Sequence, residues 1–177
     1  MKFLLVLALS FFISCAATKK TAFNHDSKYE NLYSYEILNP NSKKAIDLEE
    51  LLSQIESSDV IFFGEFHGHP ALHLLEARLL SALSDKHGQK LALSLEQFTR
   101  KYQSVLDRYL ASDIGEVLFK KQAKAWNNYN DYRPLVEFAK GRKMKVIAAN
   151  GEKNLIRCVA KKGRAFIERL SDENSVF

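Results

Sequence analysis

Apolar and polar positions change period several times along this chain, and each change marks an element. After Met1-Lys2 an apolar run extends from Phe3 to Ile13. Ile46, Leu48, Leu51, Leu52 and Ile55 then recur at helical spacing and predict an amphipathic helix over 46–57. Beyond Asp59, Val60-Ile61-Phe62-Phe63 is continuously apolar, the pattern of a parallel strand buried on both faces. From Ala71, the positions Leu72, Leu75, Leu79, Leu80 and Leu83 predict a second helix, closed by Gly88. Leu91-Ala92-Leu93-Ser94-Leu95 and Val146-Ile147-Ala148-Ala149 read as two further short strands. A helix that Pro134 starts and Gly141 ends precedes the last strand, and a final helix runs from about Lys153 to Lys162.

Strands separated by helices predict an α/β fold with a parallel sheet flanked by helices and right-handed crossovers. Ligands of such sheets bind beyond the carboxyl ends of the strands. Gly64-Glu65-Phe66-His67 follows the first strand, Glu96-Gln97 the second and Asn150 the third, so separate strands deliver polar groups to one rim. The connection from Leu95 to Met144 far exceeds the dozen or so residues of a simple crossover. Its helical patterns at Val105, Leu106, Tyr109, Leu110 and at Ile114, Val117, Leu118 predict a helical excursion between the second and third strands. The segment from Trp126 to Arg133 is expected to fold over the rim and wall one side of a site.

Composition narrows the class. The 177 residues, 46% hydrophobic and 27% charged, suit one globular domain and exclude both a multi-span membrane protein and a disordered chain. The run Phe3–Ile13 is too short to span a bilayer, which takes about 20 residues, and reads as the core of a secretory signal. It ends in Phe12-Ile13-Ser14-Cys15, which resembles the lipobox of bacterial lipoproteins. Residues 1–14 are then a signal peptide, Cys15 carries lipid such as palmitate, and Ala16 in place of Asp directs the protein to the outer membrane. An ordinary cleavage after Ala17 is the alternative. Residues 15–44 form a polar tether with a short edge strand near Tyr33–Ile37, and 45–177 the folded domain. With Cys15 modified, Cys158 is the one remaining thiol, expected to be buried within its apolar helical pattern. The net charge of +5, from 26 Lys+Arg against 21 Asp+Glu, comes from residues that mostly flank helix ends. An exported chain of this kind is not expected to bind nucleic acid.

The rim residues set the candidate chemistry. Glu65, His67, His69 and His73 have the spacing E-x-H-x-H-x3-H, with ligand types suited to zinc, manganese or iron. Structural roles compete: His69 next to Pro70 as a helix cap, and His73 as a helix-surface imidazole. Glu65 and His67, directly after an apolar strand, require a partner or a wet cleft. Glu96 adds a second carboxylate, enough with His67 for metal-assisted hydrolysis, or else pairs with Arg100 or Arg133. Gly-rich phosphate loops and nucleophile elbows are absent from the sequence, which disfavours nucleotide binding and serine hydrolysis. Trp126, Tyr129 and Tyr132 lie among Asn and Asp, as in a partly exposed aromatic surface for a flat apolar ligand. A phenolate can ligate ferric haem, and Arg133 can lower a tyrosine's pKa or pair with a propionate.

Val60-Ile61-Phe62-Phe63-Gly64-Glu65-Phe66-His67 with His73, Leu93-Ser94-Leu95-Glu96-Gln97-Phe98, Trp126 with Tyr129 and Tyr132, and Val146-Ile147-Ala148-Ala149-Asn150 occur in one order over about 46–170. In this the chain resembles the ChaN family of haem-binding, iron-regulated bacterial lipoproteins, whose wider clan includes erythromycin esterases and membrane metalloproteases. The resemblance implies a binding protein for haem and iron acquisition at the bacterial surface; the lipobox adds an anchor on Cys15, and an outer-membrane haem receptor of unknown identity is an expected partner. A homodimer is expected to cover the open face of the haem. Membership of the clan keeps a metal-dependent hydrolase at Glu65, His67 and Glu96 as the alternative. It also implies a domain extending past Phe177, of which this chain would be the N-terminal part.

Overall fold

The computed structural model describes residues 30–169; the expected signal peptide, Cys15 and the first part of the tether lie outside them. The chain divides into Met1–Glu30 and Asn31–Phe177, and all the elements described belong to the second unit. Asn39 shapes its first feature. Its Oδ1 accepts the N–H groups of Asn41 and Ser42 at 2.9 and 3.1 Å, and its own N–H donates to Lys44 O at 2.9 Å. The turn it makes pairs β1 (Ile37–Leu38) with β2 (Ala45–Ile46) in antiparallel fashion. The expected edge strand is therefore a small hairpin forming its own sheet.

Asp47 then caps α1 (Leu48–Ile55), accepting the Glu50 N–H at 2.8 Å, with Glu49 and Glu50 in the positive first turn. Pro70 opens α2 (Pro70–His87) where its missing N–H costs nothing, and Gly88, at φ 56°, ends it. Two parallel strands follow, β3 (Ala92–Thr99) and β4 (Lys145–Asn150). Leu93 pairs with Val146 and Leu95 with Ala148, but the next pair is Thr99 with Asn150. The extra length between Leu95 and Thr99 is a bulge in β3, and it holds Glu96 and Gln97. Between the strands come α3 (Gln103–Leu110), α4 (Glu116–Gln122) and α5 (Tyr129–Gly141), the predicted helical excursion; α6 (Lys153–Lys162) follows β4. The architecture is α/β, a parallel pair flanked by helices.

The core lies between the strands and the excursion. Leu95, Val146 and Ala148 meet Leu106, Phe119, Leu135, Val136 and Ala139 there, with Leu80 of α2. Phe119 stacks on Tyr109 with ring centroids 4.3 Å apart and lies edge-on to Tyr129 at 5.9 Å. Gln103 joins α3 to the sheet: its amide donates to Val146 O at 2.9 Å, and its carbonyl oxygen accepts the Ala148 N–H at 2.8 Å. The side chain thus occupies the outer edge of β4 as a strand would.

Four expectations change. Val60–Phe63 is not hydrogen-bonded into the sheet; Val60 and Phe62 are 67% and 93% exposed, while Ile61 and Phe63 are half-buried. The run keeps an inward row of side chains, but apolar content alone does not place it against a neighbouring strand's edge. Pro134 lies inside α5, not at its start. The helix begins five residues earlier, so the ring withholds an N–H from the Asn130 carbonyl. Tyr129 and Tyr132 are buried, 2% and 1% exposed, where an accessible aromatic surface was expected. With Val136 and Ala139 they start the inward stripe of α5, and the intervening Asn130 and Arg133 lie on its outer side. Cys158 is a half-buried free thiol, because α6 has no fully buried residue.

Candidate functional site

Glu65 is the hub on which the candidate residues converge. Its side chain is 9% exposed. Oε1 accepts the Tyr132 hydroxyl at 2.6 Å and the Gln97 amide at 3.3 Å, and lies 2.7 Å from His67 Nδ1. Tyr132 Oη is also 3.1 Å from His67 Nδ1. On its other side, Glu65 Oε2 lies 3.3 Å from His73 Nδ1, which is 2.9 Å from Glu76 Oε2. His67 Nε2 points the opposite way, 3.6 Å from Glu96 Oε1, with both of those side chains more than half exposed. Trp126 stands edge-on to His67 and to Tyr132, at 5.4 and 6.2 Å between ring centroids.

The residues arrive from five parts of the chain. Glu65 and His67 come from the segment before α2, His73 and Glu76 from one face of α2, and Glu96 and Gln97 from the bulge of β3. Tyr132 comes from α5, and Trp126 from the turn before it. In a regular strand, Glu96 and Gln97 point to opposite faces. The bulge leaves Glu96 exposed at the cleft and Gln97 buried against Glu65.

The electrostatics follow from this packing. Burial, reinforced by the hydrogen bond to Glu65, pushes the Tyr132 hydroxyl up to about 12. Burial also raises the Glu76 carboxyl, opposed by its bond to His73. The Tyr132 proton therefore stays on oxygen at neutral pH and is given to Glu65. Two contacts of His67 Nδ1 with oxygen hold a proton on that nitrogen, leaving Nε2 as the free lone pair when the ring is neutral.

Beside this hub lies a cleft of about 1220 Å³. The inward row of the 60–63 run and Leu79 and Leu83 of α2 line it, with Leu93, Leu95 and Ile147 of the strands. Glu65, His67, Glu96 and Tyr132 supply its polar end.

Several expected site residues lie elsewhere. Tyr129 is enclosed by Phe98 and Phe119, burial raises its hydroxyl, and it makes no bond to Glu65. Arg133 forms a two-pronged pair with Glu116, at 2.6 and 3.2 Å, and contacts neither Glu96 nor Tyr132. Both tyrosine hydroxyls are thus raised where lowering by Arg133 was expected. Asn150 ends β4 opposite Thr99 and makes no hydrogen bond to the hub. His69 is the exposed N-cap residue of α2, without a side-chain cap bond. Sequence reasoning places Gln97 at the rim without a role and misses Glu76. Glu76 was detectable as the i+3 neighbour of His73, whereas the bond from Gln97 to Glu65 joins segments 32 residues apart that no local pattern pairs.

No curated protein matches the chain, and no solved structure does. A sequence model of the family described as haem-binding uptake, Tiki superfamily, ChaN matches residues 51–177, which include the hub, the bulge and the excursion. With most of its length matched, the chain belongs to this haem-binding uptake family.

Proposed function

We propose that the protein is a haem-binding surface lipoprotein for haem and iron acquisition, anchored through Cys15, with His67 as its contact to iron. One observation carries this reading: His67 has its Nδ1 fixed by Glu65 and Tyr132 and presents Nε2 at the polar end of an apolar cleft. A carboxylate that orients an imidazole and raises its basicity is the usual outer support of a metal-bound histidine. The residues fit the group on two counts: an apolar cleft suits the macrocycle, and a neutral imidazole nitrogen suits its iron. When bound, the haem would supply a redox-active iron; the chain supplies orientation and cover. Trp126 flanks the ligand ring, and Tyr132 positions it without ligating, because its proton is committed to Glu65. A second copy covering the exposed haem face, and an outer-membrane receptor, are the partners of this reading.

Hemin titration tests it. The full chain is expected to give a saturable Soret shift, weakened at least about tenfold by His67→Ala. A saturable shift that His67→Ala leaves unchanged would remove His67 as the ligand; no saturable shift would sink the haem reading. The second reading, a metal-dependent hydrolase, is favoured by the meeting of Glu65, His67 and Glu96 at one rim. It requires chelator-sensitive turnover that His67→Ala abolishes.

A further inference from the structure

The two oxygens of Glu65 have different surroundings. Oε1 is surrounded by Tyr132, His67 and Gln97, whereas Oε2 is buried and accepts no hydrogen bond. Buried carboxylate oxygens without partners are costly and uncommon. This one faces His73 and, beyond it, Glu76; the three side chains are only 9%, 10% and 13% exposed. His73 Nε2 is likewise buried without a partner.

Donor atoms from these residues, one each, lie within 4.8 Å of one another. Bonds of about 2.0–2.2 Å to a first-row dication set neighbouring donors roughly 3.0–3.5 Å apart. The observed separations of 3.3 Å from Glu65 to His73 and 2.9 Å from His73 to Glu76 are already close to that spacing. Charge points the same way. Among the described residues no lysine or arginine pairs with Glu65 or Glu76; only the imidazoles of His67, on Oε1 of Glu65, and His73, between the two carboxylates, face them.

We propose that Glu65, His73 and Glu76 form a site for a divalent first-row cation such as Mn²⁺, Fe²⁺ or Zn²⁺, separate from the cleft-facing nitrogen of His67. An imidazole with two carboxylates and no thiolate selects this group of ions. Ligation through Nδ1 requires the His73 ring to carry its one proton on Nε2, so that a neutral imidazole binds the ion and no net proton is lost from the ring. The site does not rest on the haem reading, since neither His73 nor Glu76 supplies the proposed iron contact.

The full chain, stripped with chelator and dialysed against Mn²⁺ or Zn²⁺ alone, is expected to retain about one equivalent by elemental analysis. His73→Gln and Glu76→Gln should each weaken retention at least about tenfold, with Glu49→Gln on exposed α1 surface as the unaffected control. Negligible retention by the unmodified chain, or undiminished retention in both variants, overturns the site. Loading with Co²⁺ gives a measurement independent of variant folding: d–d bands without a thiolate charge-transfer band are expected. A thiolate band would place the ion at cysteine and overturn the proposal. Hemin titration of the same samples separates the two claims. Ion retention without haem binding defeats only the haem reading, and haem binding without ion retention defeats only the cation site.

Discussion

Tyr132 is both a core residue and a member of the hub. Its ring fills space at the start of the α5 stripe, and its hydroxyl gives a proton to Glu65. Its pKa in the folded protein, about 12, lies above the ordinary value near 10. Above pH 10 the unfolded chain therefore loses this proton while the folded chain keeps it. The group's contribution to stability is complete below about pH 10 and is lost as pH rises towards 12. Denaturant titrations at pH 9 and 11 should show stability falling, with a shallower fall in Tyr132→Phe; equal slopes would mean that Tyr132 is not the group responsible. Neutral-pH ultraviolet spectra should show no tyrosinate from this residue. Convergence of Glu65, His67, Glu96, Trp126 and Tyr132 is legible in the sequence because the ends of α/β elements gather polar groups at one rim. The fate of Tyr129 is not. Three residues from Tyr132 on one helix, it shares the inward face, and the polar neighbours that suggest a loop are the outer face of that helix.

At the scale of elements, helices are more legible than pairing. Leu48–Ile55, Pro70–His87 and Lys153–Lys162 match their periodic patterns closely, since each period and its caps are local properties. Strand pairing is a property of two segments at once. Val60–Phe63 has the composition of a central strand but not the neighbours of one. Gln103 shows how a side chain can substitute for such a neighbour. Gln103→Ala would leave the Val146 carbonyl and the Ala148 N–H without their partner, at an expected cost of about 1–3 kcal/mol. Urea unfolding measures this, and a midpoint unchanged from that of the parent chain would show that water replaces both bonds at no cost.

For the whole molecule, the proposed reading makes anchoring and site occupancy separable properties. Cys15→Ala is expected to move the protein from the membrane to the soluble fraction while leaving the Soret titration unchanged; membrane association that persists would remove Cys15 as the anchor. Fractionation followed by hemin titration of both forms makes the comparison. The strap formed by Gln103 has a further consequence. Among the described residues, with the outer edge of β4 occupied, the sheet can be extended only from the edge of β3 that pairs with no strand, whose residues line the cleft. Unpaired edges are where chains template one another. Any added strand, whether from another chain or from the Val60–Phe63 run drawn inward, must therefore pass through this cleft, so strand addition and cleft occupancy exclude each other. A ligand in the cleft would then act as an inhibitor of edge-to-edge assembly, and the empty protein would be the form prone to it.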